Sequence, residues 1–121
     1  MPNTEEPVFS LPSLDTVQQQ VKQNPHETPM ALVEFGQSLG KAMELALKNE
    51  AYATRLFGEL ESCARESGSK PKPVAIQAQC IMSAGRLAGK HGTLLPRYKD
   101  LYSQASPAIR KLIENMDRLA Q

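Results

Sequence analysis

Four prolines constrain what this chain can fold into. Pro29, Pro73, Pro96 and Pro107 each open a segment whose apolar residues return every three or four positions. Proline at the first helical position is harmless. Its missing N–H belongs to a group with no intrahelical partner, and its φ is already helical. In a central strand the same residue would remove a ladder hydrogen bond. No stretch of the chain alternates apolar and polar residues with β-branched enrichment, so no sheet is expected. The chain is written as consecutive helices.

Thr28-Pro29 predicts a helix to about Lys48. Leu32, Phe35, Leu39, Ala42 (or Met43) and Ala46 form its stripe, which Val33, Leu45 and Leu47 widen. That breadth predicts a central helix with contacts on two sides. Asn49 can end this helix and cap the next, about Glu50 to Ser67. There Tyr52, Leu56, Leu60 and Cys63 lie in line, with Phe57 and Ala64 beside them. Gly68 supplies a stop, and Ser67 to Pro73 is the clearest loop. A fourth helix, about Pro73 to Lys90, carries apolar residues on two stripes and Arg86 as its one charge before Lys90. It is the most buried-looking helix of the chain. Gly89 to Thr93 breaks it. Pro96 opens a short helix with Tyr98, Leu101 and Tyr102, and Ser106-Pro107 opens a last one seamed by Ile109, Leu112, Ile113, Met116 and Leu119. Upstream, Ser13 can cap a short helix with Leu14, Val17 and Val21 on one face, ended by Asn24-Pro25. Residues 1–12 contain Pro2, Pro7 and Pro12 and read as a flexible arm. The expected fold class is all-α: a compact bundle of about four main helices plus two short ones. Residues 13–121 form one domain behind the flexible N-terminal arm.

A chain of 121 residues with 40% hydrophobic and 22% charged residues is long enough for one core and too apolar for full disorder. It holds no run of roughly 18 apolar residues, so no membrane span is expected. The acidic, proline-containing start lacks the features of a secretory signal, which makes the expected location cytoplasmic. Two cysteines, Cys63 and Cys80, are too few for a disulfide framework. The net charge of +1 conceals an asymmetry. Residues 1–29 sum to −3 and residues 30–69 to −2, while residues 70–121 carry nine bases against three acids, or +6. Such a basic half pairs with the chain's own acidic half or attracts an acidic partner.

Catalytic signatures fail on spacing. Gly85-Arg86-Leu87-Ala88-Gly89-Lys90-His91 is one residue short between its glycines, lacks the Ser or Thr of a phosphate loop, and ends a helix instead of starting one. His26 and His91 have no ligand partner three or four residues away, so no metal site is expected. His91 reads as a residue that meets the last carbonyls of its own helix. Cys80 and His91 are about 16 Å apart along a helix, which argues against a nucleophile–base pair. Glu59 and Glu61 do not share a helix face. An enzyme is not expected, nor a cofactor.

Two features point to binding. Gly36 and Gly40, and again Gly85 and Gly89, are spaced four apart within helices. A glycine there costs roughly 0.5–1 kcal/mol against alanine. Their expected use is close helix packing, either within the chain or in a dimer contact that would make the protein a homo-oligomer. The second feature is the basic set Arg86, Lys90, Arg97, Lys99, Arg110 and Lys111, beside apolar stripes wider than one small bundle needs. These predict an apolar patch with a basic rim in the C-terminal half that binds a protein partner. The matching function is a non-enzymatic protein–protein interaction module, such as a small adaptor, a secretion-type chaperone or an inhibitor. The alternative is a nucleic-acid-associated helical protein. For that reading the same basic half, with Tyr98 and Tyr102 interleaved, would grip phosphates and stack bases.

Overall fold

The computed structural model describes residues 14–65 and 74–120. These form six α-helices: α1 (Leu14–Gln23), α2 (Met30–Lys48), α3 (Glu50–Ala64), α4 (Val74–Lys90), α5 (Leu95–Gln104) and α6 (Pro107–Ala120). A single 3₁₀ turn, Gly92–Leu94, joins α4 to α5. There is no strand among the described residues, and the all-α expectation holds. The expected arm (1–12), the Ser13 cap and the whole Ser67–Pro73 loop with its Gly68 stop lie outside the described residues.

The helix ends follow local chemistry. Asn49 is the whole connection between α2 and α3, and its Oδ1 accepts from the Tyr52 N–H at 3.0 Å. Ser106 caps α6, with its Oγ accepting from the Ile109 N–H at 3.3 Å. The start of α2 departs from expectation. Pro29 stands in the extended region just before the helix, and no cap side chain bonds there. Instead Gln20 reaches across from α1, and its Oε1 accepts from the Ala31 N–H at 2.7 Å. An orphan donor of one helix is thereby satisfied by another helix, and this ties the short α1 to the body.

The core is a single cluster drawn from α2 to α6. Phe57, Leu60, Ile81 and Leu87 are fully buried in it. Its hub is α4, which packs against α3, α5, α6 and, more lightly, α2. The broad stripe of α2 had predicted that helix as the centre. In the structure α2 lies at one side between α1 and α3, and part of its stripe faces outward. Cys63 and Cys80 are buried in the core and are not joined in a disulfide, behaving as small core residues.

Candidate functional site

The one-residue link at Asn49 makes α2 and α3 antiparallel neighbours. Antiparallel α3 and α4 are joined at one end by Gln77 Nε2, which donates to the Ala64 carbonyl at 3.4 Å. It follows that α2 and α4 run in the same direction on either side of α3. Their C-terminal ends are pinned together. His91, just past α4, donates from Nε2 to the Ala46 carbonyl near the end of α2, at 2.8 Å. The sequence had placed this ring on the carbonyls of its own helix. It satisfies the neighbouring helix instead, and only its backbone N–H bonds back to Leu87.

Between α2 and α4 runs an open groove of about 710 Å³. It extends from Leu32 to Leu47 on α2 and from Ala75 to Arg86 on α4. At 1.5 Å per residue the α4 wall is about 17 Å long, roughly three helical turns. Phe35, Leu39 and Met43 form the α2 wall with their inner faces in the core, while Leu32, Leu47 and Met82 are half-buried. At the N-terminal ends of the same two helices, Met30 is 59% exposed and Val74 46% exposed. The groove therefore has an apolar interior and exposed apolar residues at one end. Among the described residues the charged ones that line it are Glu44 on the α2 lip and Arg86 on the α4 lip. Among the described residues neither takes part in an ion pair.

The expected site residues separate on this frame. Gly36 and Gly40 line the groove, and a Cβ built on either meets no atom within 4 Å. Gly89 is equally open. The expected close approach within the chain is absent at these three positions. Gly85 alone is tight, and against a side chain: its Cβ position lies 3.0 Å from the Tyr98 ring. Of the basic set, one residue lines this groove. Arg86 lines the groove, and Lys90 is exposed one turn further along α4. Arg97 is committed inside the chain, 3.1 Å from the Glu61 carboxylate and with its guanidinium 4.8 Å from the centre of the Phe57 ring. It fastens α5 to α3. Lys99 on α5 and Arg110 and Lys111 on α6 do not line the groove. On α2, sequence reasoning assigned Gly36 and Gly40 but not Phe35, Leu39, Met43 or Glu44. Their signal was the excess width of the α2 stripe.

The tyrosines are occupied as well. Tyr98 packs on Gly85 and lies 6.2 Å, centre to centre, from Tyr102. Burial pushes the Tyr98 phenol above its ordinary range, with Tyr102 and Asp117 adding to the effect. Among the described residues no cluster of His, Cys, Asp and Glu could hold a metal ion, and no helix is long and apolar enough to cross a membrane. Comparison with protein-family models, with curated proteins and with solved structures finds no match to this chain.

Proposed function

We propose that this protein is a non-enzymatic protein–protein interaction module of the adaptor, chaperone or inhibitor kind, and that the α2–α4 groove is where it receives its partner. One observation carries the reading. The chain leaves a long apolar groove between two of its helices unfilled, with two glycines on its wall that meet nothing in the chain. A groove of this length and lining suits an amphipathic helix that lays its apolar face between two others. Arg86 and Lys90 stand on the α4 side, where charge acts mainly on the rate and orientation of association. A cytoplasmic setting agrees with two buried cysteines that are not joined in a disulfide.

The nucleic-acid alternative gains no comparable support. Its stacking residues are packed on Gly85 and on each other, and Arg97 is engaged with Glu61.

Photo-crosslinking in cells tests the reading. A p-benzoyl-phenylalanine placed at Gly40 has room to stand in the groove, while the same group at Lys99 reports the basic face away from it. The expected outcome is a discrete protein adduct from position 40 that position 99 does not give. Adducts from position 99 alone, or none from position 40, would overturn the groove as the docking site.

A further inference from the structure

We infer that the occupant of the groove is a second copy of this chain, related to the first by a two-fold axis running along the groove. The inference rests on the reading that the groove is a protein-docking site, and it names the partner. The argument is self-complementarity. Glu44 and Arg86 stand on opposite lips, carry opposite charge and lack an ion-pair partner among the described residues. The His91–Ala46 bond fixes the relative height of the two helices. By that register Arg86 lies within about one turn of Glu44 along the groove. A two-fold axis parallel to the helices preserves height and exchanges lips. It therefore sets Glu44 of each copy against Arg86 of the other, and does so twice.

The shapes agree in the same arrangement. Met82 of the second copy comes to the level of Gly36 and Gly40, where a Cβ would meet nothing in the isolated chain. The result is a layer of four parallel helices, α2, α4 and their counterparts, with each α3 behind it. It also gives the two glycines a use that the single chain does not. Fourteen residues per copy line the groove, fewer than the roughly 20–30 a side of a standard interface. The dimer is accordingly reversible and concentration-dependent.

Sedimentation velocity on the full chain tests this. Wild type is expected to shift from monomer to dimer between low and high micromolar concentration. Glu44→Arg and Arg86→Glu alone each place like charges together twice, and each should weaken self-association about tenfold or more. An equimolar mixture of the two variants should recover dimer, because the heterodimer restores both opposite-charge contacts. Both positions are exposed, so an unchanged unfolding midpoint for each variant controls for folding. A wild type that stays monomeric, single variants that associate normally, or a mixture that recovers nothing would each overturn the second-copy assignment. If wild type is monomeric while the Gly40 crosslinker captures a different polypeptide, the docking reading stands and only the second copy fails. If neither occurs, both fail.

Discussion

The two sides of α4 meet different fates. Toward α3, α5 and α6 it presents Cys80, Ile81, Ala84 and Leu87, and all four are fully buried. Toward α2 it presents Ile76 and Ser83, which are buried, but also Gln79 and Met82, which remain half-buried, and Ala75 and Arg86, which are exposed. The cause lies in what each neighbour offers. On its side α3 supplies Phe57 and Leu60 and fills the space. On the other side α2 supplies Gly36 and Gly40 beside its large residues and leaves a groove. An apolar stripe states that a face wants to be covered; the facing residues decide whether the chain itself covers it.

Single substitutions can sharpen or break that contrast. Leu87→Ala should cost about 2–5 kcal/mol, since it leaves a cavity in a closed core, whereas Met82→Ala on the open side should cost about 1 kcal/mol. Chemical denaturation of the two variants at low protein concentration measures both, and equal losses would abolish the distinction between the sides. Gly85→Leu should cost about 1–3 kcal/mol, because its side chain must displace the Tyr98 ring. His91→Ala removes the bond that pins α4 to α2 and should cost about 1 kcal/mol. Gly40→Ala has the opposite sign. With no atom near its Cβ, the monomer should gain roughly 0.5–1 kcal/mol from helix propensity, while the added methyl should weaken association in the groove. A fall in monomer stability for Gly40→Ala would show that the wall is already covered.

The smallest effect is alkaline. The folded state holds the Tyr98 phenol above its ordinary range, mainly through burial. Below the unfolded value of about 10 both states are protonated and the contribution is complete. Above it the unfolded state ionises first, so stability falls as pH rises toward the folded value. Tyr98→Phe should flatten this alkaline decline while keeping the ring on Gly85. An unchanged slope in a denaturation series above pH 10 would assign the decline to other groups.

Much of the fold was legible in residue order. Asn49, Pro96 and Ser106-Pro107 each mark a boundary that the structure keeps within a residue or so, because capping and proline chemistry act locally. The stripes of α3, α4 and α6 named most of their core residues for the same reason, although Val74 is exposed, Met116 is half-buried and the Leu119 side chain lies outside the described residues. Long-range choices were not legible. Nothing in the sequence of α2 says that Gln20 of another helix satisfies its start or that His91 bonds to it and not to α4, whereas the two apolar stripes of α4 did mark it as the most buried helix, in keeping with its place at the hub. The basic residues illustrate the limit. Their clustering in sequence implied one rim, but it could not say that Arg97, still partly exposed, is engaged with Glu61 and the Phe57 ring. Periodicity tells which face of a helix is apolar; it does not tell which two faces meet. The groove was visible only as an excess, a stripe on α2 wider than its neighbours could use.

The central claim, that the α2–α4 groove is the surface this protein uses and that a second copy fills it, is tested most directly with the methionine methyl groups. Met43 and Met82 line the groove, while Met116 sits half-buried on α6. In a dilution series from high to low micromolar, with methyl-labelled methionine followed by NMR, the Met43 and Met82 resonances should move together along one binding isotherm, and Met116 should stay fixed. A shift confined to Met116, or three resonances that ignore concentration, would contradict it.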